Sequence, residues 1–184
     1  NRWPVVYHLT PMRQNLLDGF NFGENANVLE IGCGCGAITG ILCHKASKVT
    51  AVEISPRRAE IAAYKNKDRD NLTICVGNLN DMNFTEKFDY VTLIGVLEYA
   101  GSFTHTNEPW KDFLLSCKRF LKPNGKIIIA IENKLGMKYW SGAREDHTGG
   151  YFDGMEGYTT DSVRTFSRKE LKELLDSAGL SEVE

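Results

Sequence analysis

The chain has 184 residues, 42% apolar and 25% charged, with a formal net charge of -2. That length suits one domain with a real core and is too short for two ordinary ones. The charge lacks the basic excess of a phosphate-backbone binder, so no nucleic-acid partner is expected. No run approaches the roughly 18 apolar residues of a membrane span, so no membrane insertion is expected.

No signal peptide opens the sequence. Its first residue is Asn1, and residues 180–184 read as the opening of a strand, so a piece of a longer polypeptide is expected. The five cysteines, Cys33, Cys35, Cys43, Cys75 and Cys117, are odd in number and mostly in apolar surroundings, which suits reduced thiols in a cytoplasmic compartment.

In chain order, Thr10 and Pro11 open a short helix that Gly19 can end. Strands are expected at 27–31, 48–54, 72–76, 88–94 and 126–131, and helices at 37–45, from Ser55-Pro56 to about 67, and at 109–121. Residues 122–125 read as the stop of that last helix, and the mixed run 65–69 as a solvated helix end. Ser167 to Glu170 forms a capping box that opens a helix ending at Gly179. Strands alternating with helices predict an α/β fold, a doubly wound and mostly parallel sheet covered on both faces.

Between 133 and 166 no clean period appears. Glycines there interleave with Tyr139, Trp140, Tyr151, Phe152 and Tyr158, and so long an irregular stretch is usually functional. The expected organisation is one domain, 1–184. It comprises a helical arm (1–26), a cofactor-binding core (27–132), an irregular substrate-side segment (133–166), and a last helix with the start of a strand (167–184).

Gly32, Gly34 and Gly36 fall where the first strand turns into the first helix of the core. Such a turn needs positive φ and close approach of backbone to a ligand. Cys33 and Cys35 lack the two further ligands of a tetrahedral metal site, so no metal is expected and the thiols read as small residues in a cramped turn. The stretch also satisfies a dinucleotide fingerprint, and Glu53, about 20 residues on, suits ribose hydroxyls in either a nicotinamide or an adenosyl site.

The stretch Glu30-Ile-Gly-Cys-Gly-Cys-Gly36 resembles the first motif of the class I S-adenosylmethionine-dependent methyltransferases. Val76-Gly77-Asn78-Leu79, Phe88-Asp89 through Gly95-Val96 to Tyr99, and Leu121-Lys-Pro-Asn-Gly125 resemble later motifs in order. The resemblance covers roughly residues 27 to 180 and implies a Rossmann-like sheet, its two final strands missing here, and S-adenosylmethionine as cofactor. It places the methionine end at Glu30 and the glycines, the ribose at Glu53, and adenine at Ile54, Asn78 and Leu79. Gly95 and Val96 then face the methyl group. Asn78 departs from the usual Asp.

The acid two places before the first glycine and the later motifs disfavour a nicotinamide oxidoreductase. A non-catalytic binding domain stays open. For a hydroxyl acceptor a general base is needed, and His147, in Arg144-Glu-Asp-His147, is the leading candidate, with Glu132 second. His105 is a further candidate, and Tyr7 and His8, before the first helix, could close over the cofactor. The segment from Glu132 to Tyr158 resembles bacterial methyltransferases associated with glycosyltransferase modules in surface-polysaccharide assembly, which implies a sugar or other small-molecule acceptor.

Overall fold

The alternation of apolar runs and caps folds as it reads. The structure, a computed structural model, describes residues 3–159 and 163–180. The strands are β1 (Asn27–Ile31), β2 (Lys48–Glu53), β3 (Leu72–Val76), β4 (Phe88–Ile94) and β5 (Leu121–Ala130), in the order β3-β2-β1-β4-β5. The pairs β1–β2, β1–β4 and β2–β3 are parallel, with Ile31 opposite both Val52 and Leu93. β1 is central and buried on both faces, as a parallel strand between helical layers requires.

The described residues divide into two compact units. The first comprises Asn1–Leu93 and Phe120–Ile128, the second Ile94–Arg119 and Ile129–Glu184. In the first unit, helices α1 (Trp3–Leu9), α2 (Asn15–Asp18), α3 (Thr39–Lys45) and α4 (Pro56–Lys65) accompany the strands, with α3 packed on β2 and α4 on β2 and β3. In the second, α5 (Ala100–Phe103), α6 (Pro109–Lys118), α7 (Met137–Trp140), α8 (Asp153–Glu156) and α9 (Arg168–Ser177) surround irregular chain, with α6 packed on α5 and α9.

Several expectations shift. Tyr7 and His8 do not precede the first helix; they belong to α1. The segment after Thr10 is a 3-10 turn (Pro11–Gln14) running into α2, with Thr10 Oγ1 accepting the Met12 amide at 3.3 Å. In the expected solvated run 65–69, Lys65, Lys67, Asp68 and Arg69 are exposed, but Asn66 is buried, with its Nδ2 donating to the Ala62 carbonyl at 2.9 Å. α6 ends at Lys118, before the predicted stop, and 122–125 lie inside β5. There Asn124 takes φ 66°, and a Cβ on Gly125 would sit 3.0 Å from the Phe88 carbonyl, so the backbone passes too close there for a side chain.

The capping box at Ser167 forms in both directions. The stretch 133–166 holds only α7, α8 and one bridge, Asn133 to Phe166, within its described residues. The expected strand at 180–184 lies, beyond Leu180, outside the described residues.

Candidate functional site

In the first unit the β1–α3 turn is built on glycine. Gly32, Gly34 and Gly36 have φ of 69°, 56° and 76°. The Gly32 and Cys33 amides donate to the Val52 carbonyl at 2.8 and 3.1 Å, which ties the turn to the end of β2. A Cβ on Gly36 would meet Asn66 Nδ2 at 2.7 Å and Ala62 Cα at 3.1 Å, so this glycine lets α4 pack closely. A Cβ on Gly34 would meet nothing within 4 Å. That open backbone is the place where a ligand can approach.

Glu53 completes the turn. Its Oε2 accepts the Gly34 amide at 2.8 Å and its Oε1 accepts the Ser55 amide at 2.9 Å. Two-lone-pair oxygens leave capacity on each for a hydroxyl. Beside it Ile54 is an exposed apolar side chain. Asn78 Oδ1 accepts the Asn80 amide at 3.0 Å, which leaves the amide NH₂ as its donor. Leu79 is buried in the turn that follows.

Glu30 lies in mid-β1 and is nearly inaccessible, and its Oε2 has no hydrogen-bond partner. Burial pushes the Glu30 carboxyl up to about 7, Glu53 adds to this, and Thr39 and Arg13 oppose it. Such an atom is what an ammonium group would satisfy, so these residues fit the amino-acid end of S-adenosylmethionine. On α1, His8 is held below the ordinary imidazole range by burial and by Arg58 and Arg13, against Glu53. Tyr7 carries the Arg13 guanidinium over its ring at 4.4 Å.

The cysteines are all free thiols, and Cys33 and Cys35 are buried as small turn residues.

In the second unit the turn around Glu145 is closed by its amide on the Gly150 carbonyl (2.8 Å) and by the Gly149 amide on its carbonyl (2.9 Å). Its carboxylate accepts four bonds. They come from the His147 amide at 2.6 Å, the Thr148 amide at 2.7 Å, His147 Nδ1 at 3.0 Å and the Tyr158 hydroxyl at 3.2 Å. Burial works to raise this carboxyl, but those bonds win and hold it below the ordinary carboxylate range.

With Nδ1 engaged by Glu145, His147 turns Nε2 toward Glu98 Oε1 at 4.0 Å, and the Tyr99 ring packs edge-on at 5.4 Å. Glu132 joins them: Glu98, Glu132 and His147 offer ligand atoms within 4.8 Å of one another. Glu132 Oε2 is buried without a partner.

His147 and Glu132, predicted separately, therefore stand together, while His105 lies apart on the loop before α6 and lines none of this group. No metal and no carboxylate cluster were expected. The fold nevertheless assembles two carboxylates and an imidazole, a donor set that suits a divalent cation. Sequence reasoning missed Glu98 because the chain separates it widely from its partners. It also missed Glu145, although its place two residues before His147 is the one available signal.

A model of the methyltransferase domain family matches residues 29–129, more than half of the chain. Among curated proteins the chain is similar to the mitochondrial ubiquinone biosynthesis O-methyltransferase of Schizosaccharomyces pombe, 32% identical over 60% of this chain and 39% of that one. It is also similar to the demethylmenaquinone methyltransferase of Tropheryma whipplei, 31% identical over 60% of this chain and 43% of that one. The chain thus spans less than half the length of either relative. Among solved structures, phosphoethanolamine N-methyltransferase 1 of Haemonchus contortus matches with a TM-score of 0.63 at 20% identity, over 89% of this chain and 33% of that one. This likeness shows the Rossmann-like methyltransferase fold.

Proposed function

The chain belongs to the methyltransferase domain family, whose cofactor is S-adenosylmethionine; from that premise we propose that it methylates a hydroxyl oxygen of a small molecule or glycan, with His147 as general base. The single observation behind this reading is the His147–Glu145 pair: a partly buried imidazole with Nδ1 held by a carboxylate and Nε2 left to act. A surface histidine steadied by chance neighbours would not be enclosed this way.

Bound S-adenosylmethionine supplies a methyl group activated on a sulfonium. The residues of this chain then have these roles. Glu30 binds the ammonium of the methionine end, Glu53 the ribose hydroxyls, and the glycine turn (Gly32, Gly34, Gly36) passes close to the ligand. Ile54, Asn78 and Leu79 take the adenine, and Gly95 and Val96 flank the methyl. His147 Nε2 accepts the hydroxyl proton as oxygen attacks. Glu145 fixes the tautomer and stabilises the imidazolium that results. Glu132 supports this group as a second acid–base residue. Positioning supplies the larger share of the acceleration, up to roughly 7–11 kcal/mol.

Side-chain chemistry supports a sugar as the acceptor. Trp140, Tyr151 and Phe152 are exposed rings, and the Arg144 guanidinium covers Tyr151 at 4.4 Å. Such faces beside polar groups suit a sugar. The resemblance of this segment to bacterial methyltransferases associated with glycosyltransferase modules points the same way. A phenolic acceptor is the second reading, favoured by relatives named for ubiquinone and menaquinone biosynthesis. The five free thiols suit a cytoplasmic setting.

The test is incubation with methyl-labelled S-adenosylmethionine and a panel of sugars, nucleotide-sugars and catechols, with products read by mass spectrometry. An O-methylated product that His147→Ala abolishes supports the reading. A product made equally well by His147→Ala removes the base assignment, and cofactor binding with no product from any hydroxylated acceptor favours a binding domain.

A further inference from the structure

The second unit holds a cavity of about 630 Å³, walled by the loop at Thr104 to Glu108, the first turn of α6, Arg164 and the α9 residues Leu174 and Ser177. None of Glu98, Glu132, Glu145 or His147 lines it. It is therefore distinct from the acid–base group.

Three of its lining residues carry buried polar atoms with no hydrogen-bond partner: Thr104 Oγ1, Trp110 Nε1 and Arg164 Nε. Thr104 and Trp110 are only 6% and 8% exposed. The indole and guanidinium nitrogens are donors only, and a hydroxyl can turn to donate. A buried donor left unmet is costly, and all three belong to residues that line this one cavity.

The charge agrees. The Arg164 guanidinium lies 5.0 Å from the ring centroids of both Trp110 and Phe166, which fixes its position. Among the described residues no carboxylate forms an ion pair with it. The acid in the lining, Glu108, already bonds Lys111 at 2.9 Å. α6 brings the positive end of its peptide dipoles to the same wall.

We propose that this cavity binds an oxyanion, a phosphoryl or carboxylate group carried by a small molecule, held by Trp110 Nε1, the Arg164 guanidinium and the Thr104 hydroxyl. The site does not depend on the methyl-transfer reading. It is a second ligand position on the same chain.

The experiment is a titration of the ¹⁵N-labelled chain followed by its tryptophan indole resonances. There are three tryptophans, and Trp110→Phe identifies the resonance that matters. Sodium phosphate and sodium acetate are added in separate arms, with sodium chloride as the control at matched ionic strength. The expected result is a saturable shift of the Trp110 indole signal with phosphate or acetate, the tighter arm naming the group, and none with chloride. Arg164→Gln should weaken that binding at least about tenfold, since a charge-assisted donor is lost, with the rest of the spectrum unchanged. Indole signals that all ignore both anions, or that move equally with chloride, overturn the proposal even if Trp110→Phe fails to fold. So does equal affinity in a folded Arg164→Gln.

Discussion

Glu30 in the first unit and Glu145 in the second are both almost wholly buried, each 4% exposed, yet they end with opposite properties. Glu145 accepts four hydrogen bonds and keeps its charge, with its carboxyl below the ordinary range. Glu30 leaves one oxygen unmet, and its carboxyl rises to about 7. Burial is common to both; the supply of donors decides the outcome. One carboxylate is already complete and serves a histidine. The other stays partly protonated until a cation arrives, which fits the ammonium of the cofactor.

The largest effect should come from breaking the complete side of this comparison at its working end. His147→Ala should lower kcat by about 10²–10⁴-fold and leave S-adenosylhomocysteine affinity unchanged, as rapid-quench kinetics and calorimetry will report. Retained turnover would move the base elsewhere. Glu145→Gln keeps the shape but not the charge. It should cost about 10–100-fold in kcat, as losses of orienting partners do.

On the incomplete side, the sign follows from linkage. The unliganded Glu30 carboxyl titrates near 7, and a bound ammonium needs it ionised. Affinity for S-adenosylhomocysteine should therefore rise with pH, by up to about tenfold per unit below 7, and level off above. The same group makes the free protein less stable as pH climbs from its ordinary 4.5 toward 7, because the folded state holds the proton longer. Glu30→Gln should erase both trends, measured by calorimetry and thermal melting.

The smallest effect is a control touching neither carboxylate. Ser167→Ala removes one bond of the α9 capping box and should cost about 1 kcal/mol of stability without changing cofactor affinity.

Legibility in the sequence tracks distance along the chain. The placement of the glycine turn, Glu30 and Glu53 could be read because it is local: a strand, a turn and a strand end. The capping box at Ser167 is local too, and it formed as written. The cluster of Glu98, Glu132 and His147 was half legible, since His147 and Glu132 stood out as titratable residues in an irregular stretch. Nothing local announced that Glu98, just after β4, would join them. Asn66 misled for a similar reason. A polar residue in a charged run reads as solvated, but here its amide folds back on Ala62 and packs against Gly36. The early start of β5 takes in the left-handed Asn124 and the close-packed Gly125, where a turn signal serves inside a strand.

The central claim is that the open glycine turn with its unmet carboxylate is the cofactor site. The most direct measurement is calorimetric titration of the chain with S-adenosylhomocysteine, with NADH as control and Gly34→Asp as the blocked variant. The account predicts binding of S-adenosylhomocysteine, none of NADH, and at least about 100-fold weaker binding in Gly34→Asp, or about 2.7 kcal/mol, because its side chain fills the space left open at φ 56°. Binding of NADH instead, or equal affinity in Gly34→Asp, would contradict it.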